Sequence, residues 1–465
     1  MHTRRKFLRA CAASPMACAG APLLNLLSGP AAHAAGDDYR ALVCVFLLGG
    51  MDCHDTVLPF DSTSYGSYAR LRASLLDAYR SQPGGSSRER AALLPLEPAT
   101  AVSGARQFAL PPQLSGLHQL FGAGRAAIVG NVGPLIEPTT RQGFNSNGAL
   151  LPARLFSHND QQSTWMSFSP EGAQLGWGGR FGDAMQSAES AAASIFSQIS
   201  LVGNTVFLNG ATVSTYNINA DGVPSIALID AAGDRFSAQL QARVRDHFTA
   251  MGSQRENLFE LDFVNLSRVS LDANDRLDSA LRSAAALDTP FPTSPLGGQL
   301  RAVAETMALR QELGVSRQVF FVALGGFDTH SAQAAELPPL QQDIGDSIAA
   351  FCRATEELGL AEQVTTFTAA DFGRTLSVNG DGTDHGWGSH HFVVGGAVRG
   401  GDIYGDIPVA ELGHKQDAGN GRLIPTVSVE QFAAPLGRWF GLGETELELA
   451  LPGLANFPAA RMDFV

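Results

Sequence analysis

The stretch RQVFFVALGGFDTH, residues 317–330, decides how the chain is read. Eight residues rich in Val, Phe and Leu run without polar alternation into two glycines, and then Asp328 and His330 follow. A continuous apolar run of that length is the signature of a strand buried on both faces, as in a parallel sheet. The glycines permit a sharp turn at its end. Beyond the strand, residues two apart point the same way, so Asp328 and His330 can face one ion together.

Working outward, the pattern recurs. ALVCVFLLGGMDCHD (41–55) has the same build and brings Asp52 to a strand end. RAAIVGNVG (125–133) follows the helical LSGLHQLFGAG, and the quoted strand follows the helical LRAVAETMALRQELG. AEQVTTFTAADFGRT (361–375) follows a long helical pattern over 338–360, and HHFVVGG (390–396) comes after it. Strands alternating with amphipathic helices predict an α/β fold with a mostly parallel central sheet flanked by helices. Ligands of such sheets bind beyond the carboxyl ends of the strands, so Asp52, Asp328 and Asp371 are expected to converge there. Between about 160 and 300 the texture changes to short strands, turns and charged helices, which reads as an inserted cap region on a single domain spanning 36–465.

The N-terminus carries an address. HTRRKFLRA pairs Arg4 and Arg5 ahead of a weakly apolar Ala/Gly stretch that ends in AAHAAGDD, a basic region, an apolar region and a small-residue cleavage site near Ala34 or Ala35. Residues 1–35 therefore read as a twin-arginine signal peptide, and the mature protein is expected in the periplasm or outside the cell. No later apolar run is long enough to span a membrane. The formal net charge of −13 becomes about −17 once Arg4, Arg5, Lys6 and Arg9 are removed, and Lys6 and Lys415 are the only lysines. That balance excludes a basic surface for nucleic acid or anionic lipid. The mature cysteines, Cys44, Cys53 and Cys352, are odd in number; Cys44 is expected in a buried strand, and no disulfide framework is expected.

Six of the nine mature histidines sit in the motifs: His54, His158, His330, His385, His390 and His391. Asp with neutral His supplies ligands suited to one or two divalent ions: Zn, Mn or, with more carboxylate, Ca or Mg. GDGTDHGWG lacks the spacing and closing Glu of an EF-hand. ADFGRT lacks the other elements of a kinase. Arg374, three residues after Asp371, is positioned to bind two oxygens of an anion.

In this order, GGMD, SHNDQQSTW, GGFDTH, DFGRT and DHGWGSHHFVVGG, the motifs resemble the twin-arginine-exported bacterial family of unknown function catalogued as number fifteen-oh-one. That family is placed in the alkaline phosphatase and sulfatase-like superfamily, and the resemblance covers essentially the whole mature chain. It implies a metal-dependent hydrolase of phosphate or sulfate esters acting on an anionic small molecule or glycan ester. Carried over by residue, Asp52 and Asp371 would hold one ion and Asp328, His330 and His385 a second, roughly 3.5–4 Å away in such enzymes. The chain departs from the pattern at Phe372, where active relatives carry a histidine; His390 or His391 could compensate. The nucleophile is expected in RLFSHNDQQSTW, at Ser157 beside His158, with Ser163 and Thr164 as alternatives. The competing reading is a non-catalytic relative that keeps one structural metal and serves as a periplasmic binding or assembly factor.

Overall fold

The computed structural model describes residues 38–83, 88–186, 195–224, 238–249, 257–458 and 462–465; the expected signal peptide lies outside the described residues. The central sheet contains nine strands: β1 (Arg40–Leu47), β2 (Ala126–Gly133), β3 (Gln198–Ser200), β4 (Tyr216–Asn217), β5 (Arg317–Leu324), β6 (Val364–Ala370), β7 (Ser389–Gly395), β8 (Ile403–Gly405) and β9 (Val427–Ser428). Their order is β8-β2-β7-β6-β1-β5-β3-β4, with β9 also on β2. Every neighbouring pair is parallel except those made by β7, which runs antiparallel to both β2 and β6. The fold is thus α/β with a mostly parallel sheet flanked by helices.

Strict alternation along β1 explains the layers. Val43 and Val45 enter one apolar core with Leu300, Ile344, Ile348 and Phe351, from the helices Pro295–Ala308 and Gln333–Glu357. Leu42, Cys44 and Phe46 enter the other, with Trp165, Trp177 and Phe432. Both faces of the strand are covered, so each full burial of a Val, Leu or Phe contributes roughly 1.5–3 kcal/mol and no polar face is left to alternate. Cys44 is buried in β1 as expected, and its thiol is pushed well above the usual range by burial.

Register fixes the functional edge. Leu47 pairs with Leu324 on one side and Ala370 on the other, so the segments carrying Gly49, Asp328 and Asp371 leave the sheet side by side. Gly49 and Gly50 are required there: both have left-handed backbones (φ 112° and 86°), and a Cβ would lie 2.4 Å from the Asp328 nitrogen and from the Phe372 ring respectively.

The segment expected as an inserted cap is partly sheet, because it supplies β3 and the edge strand β4. Residues 187–194, 225–237 and 250–256 of it lie outside the described residues. Its helices Ala238–Thr249 and Leu258–Ser283 pack on one another.

Beneath the functional edge lies a buried charged network. Arg72 donates to Asp52 from both terminal nitrogens (2.6 and 3.1 Å) and lies 2.8 Å from Asp55, all at zero exposure. Tyr68 and Tyr79 donate to the two Asp55 oxygens at 2.5 and 2.7 Å. Burial works against the Asp55 charge, but Arg72, Arg88 and the two phenols outweigh it and hold the carboxyl below its ordinary value. Removing one partner of such a network strands the rest without water. Arg72→Met is therefore expected to cost about 3–5 kcal/mol, read from urea unfolding; a loss under about 1 kcal/mol would show that the network does not stabilise the fold.

Candidate metal centre

Three imidazoles converge at the sheet edge from three different elements. His158 opens the helix His158–Ser167, His330 follows β5, and His385 ends the strand Thr383–His385. That last strand pairs antiparallel with Arg374–Val378, setting Arg374 directly opposite His385 and so joining the DFGRT and TDHGW motifs.

Two of the rings are fixed by a hydrogen bond from Nδ1: His158 Nδ1 lies 2.6 Å from Asp371 Oδ2 and His385 Nδ1 lies 2.8 Å from the Phe156 carbonyl, while His330 Nδ1 has Asp384 Oδ1 3.3 Å away. The Asp371 and Phe156 oxygens only accept, so the neutral rings of His158 and His385 carry the proton on Nδ1 and present an unprotonated Nε2. The Phe156 carbonyl reaches His385 because Phe156 has a left-handed backbone (φ 72°), as does Arg154 (φ 50°) two residues earlier. Such strain at a non-glycine residue collects at functional sites.

The Nε2 of His385 meets those of the other two rings. His385 Nε2 is 2.8 Å from that of His330, 3.1 Å from that of His158 and 3.2 Å from Asp328 Oδ1. His158 Nε2 is 3.4 Å from Asp328 Oδ2, and His330 Nε2 is 3.2 Å from Asp328 Oδ1. Lone pairs at these distances repel unless a cation or a shared proton lies among them. The spacing matches the roughly 3.3 Å edge of a tetrahedron whose ligands sit about 2.0–2.1 Å from one ion. His158, Asp328 and His385 form a group of one-atom donors all within 4.8 Å of each other, able to hold a metal ion. Nδ1 anchoring by carboxylates and a carbonyl is how metal-binding histidines are oriented.

The electrostatics favour this donor set at His385 and Asp328 and oppose it at His158, where an ion would have to displace a proton. Burial lowers the His385 pKa and favours the neutral ring. The Asp371 hydrogen bond raises that of His158. Burial opposes the Asp328 charge, yet the Arg374 hydrogen bond and charge prevail and hold it ionised.

A family model described as a protein of unknown function (DUF1501) matches residues 39–448. The chain belongs to that family. No curated protein matches it. Among solved structures, this DUF1501 member is distantly similar to Ps i-CgsB in complex with k-i-k-neocarrahexaose. The identity there is 9% and the TM-score 0.34, over 91% of this chain and 78% of that one. It is also distantly similar to a structure from work on glycosaminoglycan metabolism by Bacteroides thetaiotaomicron, labelled BT33494S-sulf. That identity is 10% and the TM-score 0.33, over 88% and 74%.

The residues picked from sequence divide in this DUF1501 structure. Asp328, His330, His385, His158, Asp371 and Arg374 are brought together, with Asp371 acting on His158 rather than at the Nε2 cluster. Asp371 Oδ2 accepts from the Gly49 amide (3.2 Å), Gln162 (2.8 Å) and His158, while its buried Oδ1 has no protein partner.

Asp52 is not among them: Arg72, Gln333 and the amides of His54 and Asp55 take both its oxygens. Arg374 is fully buried and committed to Asp328 (2.9 Å), the Gly49 carbonyl (3.0 Å) and Thr383. It therefore orients a ligand here. The Ser157 hydroxyl donates to Asp160 (2.9 Å), that of Ser163 to the Pro170 carbonyl and that of Thr164 to the Asp160 carbonyl. His390 and His391 are buried on opposite faces of β7, the first accepting from the Asn131 amide and the second beside Trp165. Neither replaces the ligand absent at Phe372.

Phe372 itself lies against His158 and His385, ring centres 4.8 and 4.7 Å away. Sequence reasoning missed Gln162 and Asp384. Gln162 was findable, because HNDQQ sets it one helical turn after His158 on the same face.

Proposed function

We propose that this protein is an exported hydrolase of phosphate or sulfate esters that uses one divalent ion held by His158, Asp328 and His385, with His330 completing the set. The observation that carries this reading is the approach of the His158, His330 and His385 Nε2 atoms, the first and last on anchored rings, to a carboxylate that stays open to solvent. The Asp328 and His330 side chains are 44% and 43% exposed, whereas structural metal sites are closed. A bound divalent ion supplies stabilisation for charge that develops on an ester oxygen. Asp371 keeps the His158 proton on Nδ1, Gln162 and Gly49 keep Asp371 in place, and Phe372 excludes water from the inner side of the rings. The ordered motif set supports the alkaline phosphatase and sulfatase-like superfamily, and the paired arginines support the twin-arginine route to the periplasm or beyond. The substrate would be an anionic small molecule or glycan ester.

One observation favours the non-catalytic reading: the Ser157 hydroxyl is engaged with Asp160, and Phe372 fills the place beside His158 and His385. The two readings part in one assay. Mature protein loaded in turn with Zn²⁺, Mn²⁺, Ca²⁺ and Mg²⁺ is expected to cleave p-nitrophenyl phosphate or sulfate in a manner abolished by chelator. One tightly held ion without turnover of either ester class would favour a binding or assembly factor.

A further inference from the structure

The buried Arg72–Asp52 network and the exposed metal centre are joined by an unbroken chain of side-chain hydrogen bonds. Gln333 donates from Nε2 to Asp52 Oδ2 at 2.6 Å. Its Oε1 accepts from the Thr383 hydroxyl at 2.7 Å and from Thr329 at 3.1 Å. The Thr383 oxygen in turn accepts from Arg374 Nε at 3.0 Å, and Arg374 Nη1 donates to Asp328 Oδ1 at 2.9 Å. Donor and acceptor alternate correctly at every link, so no proton has to be shared or left over. Asp52, Gln333, Thr383 and Arg374 are all buried, whereas Asp328 is 44% exposed.

We infer that Gln333 and Thr383 are positioning residues for the metal centre, transmitting the fixed geometry of the Arg72–Asp52 pair through Arg374 to the Asp328 carboxylate. This rests on the proposed centre and adds a role for the strand-end Asp52 that ligation would not require. A carboxylate nearly half exposed would otherwise turn freely about its side-chain bonds. Here Arg374 pulls Oδ1 toward His330 and His385, both 3.2 Å from it, and the Thr383 hydroxyl on its Nε, together with the Gly49 and Thr383 carbonyls, sets the plane of the guanidinium. Thr383 is the narrowest link, since one hydroxyl serves two neighbours. Gln333 is the next, because its amide can turn over only by presenting an oxygen to Asp52.

Outer partners of metal ligands typically contribute 10- to 100-fold in affinity. Thr383→Val, close in shape but without the hydroxyl, is expected to weaken Co²⁺ binding to the mature protein by about 10- to 100-fold and to alter the visible Co²⁺ spectrum. Gln333→Leu should do the same. Thr383→Ser, which keeps the hydroxyl, should bind within about threefold of the wild type. Tyr216→Phe, which removes a hydrogen bond to Asn274 from the edge strand β4, off this route, should lower the unfolding midpoint and leave Co²⁺ affinity unchanged, with circular dichroism confirming the fold of each variant. Wild-type affinity in both Thr383→Val and Gln333→Leu would overturn the inference, as would equal weakening in Tyr216→Phe. Failure of the wild type to bind Co²⁺ would overturn the metal centre and the positioning role together.

Discussion

Asp328→Ala and His385→Ala are each expected to lower divalent-ion affinity by about 10²- to 10³-fold. Four-ligand protein sites bind Zn²⁺ with about 10–16 kcal/mol, so one ligand carries roughly 2.5–4 kcal/mol. Asp328 should sit at the upper end. Among the described residues it is the only carboxylate that touches all three Nε2 atoms, and its loss also leaves the buried Arg374 facing them with positive charge. Competition titration against a chromophoric chelator, with metal content measured by plasma mass spectrometry, gives both affinity and stoichiometry. Unchanged affinity in either variant would remove the assignment.

Acidification is expected to destabilise the protein sharply between about pH 6.5 and 5, above the range in which ordinary carboxylates titrate. Burial lowers the pKa of His54, His390 and His391 to about 3 each, helped by the Arg72 charge at His54, by His54 at His390 and by His390 at His391. In the unfolded chain these rings titrate near 6.5. The unfolded state therefore binds more protons below that pH, and the contribution, whole above it, is lost as pH falls from about 6.5 toward 3. Three such groups give roughly 4 kcal/mol per pH unit. Glu430 opposes one of them: burial raises its pKa to about 7, so it adds stability as pH falls from 7 toward its unfolded value. His385 and His414, lowered by burial, add to the loss, while His158 and Asp52, raised, subtract from it. The net slope is roughly 3 kcal/mol per pH unit between pH 6 and 5, large against a typical total of about 5–15. Urea midpoints at pH 7, 6 and 5 measure it, and His391→Leu should flatten the slope by about one proton. A level profile over that range would show that these rings are not buried neutral.

The long strands and the three strand-end aspartates were legible because burial on both faces writes itself as an unbroken apolar run. The short strands β3, β4, β8 and β9, two or three residues each, carry no such run and are held by their neighbours alone. Asp52 shows the limit of reading a motif locally. GGMDCHD and GGFDTH look alike, but the first meets Arg72 from a helix boundary some twenty residues on, and sequence gave no warning that this cation would be buried. The adjacent pair His390-His391 looked like spare ligands, yet the period of two in β7 sends them to opposite faces, away from the cluster. Phe372 was visible as a departure; that its ring would lie tilted against two of the histidines needed coordinates.

The pairing of β1 sets a timetable for biogenesis. Both of its partners, β5 and β6, are encoded far downstream, the nearer beginning at Arg317, some 270 residues after Leu47. At about 5–20 residues per second, a ribosome needs roughly 15–50 s to deliver that partner, and during this interval a strand that is apolar from Ala41 to Leu47 has both edges bare. Translation of the C-terminal third, rather than any event at the N-terminus, is what closes the molecule. A chain cut short before β5 would expose its stickiest segment permanently, which makes truncation products of this protein natural clients for chaperones and proteases.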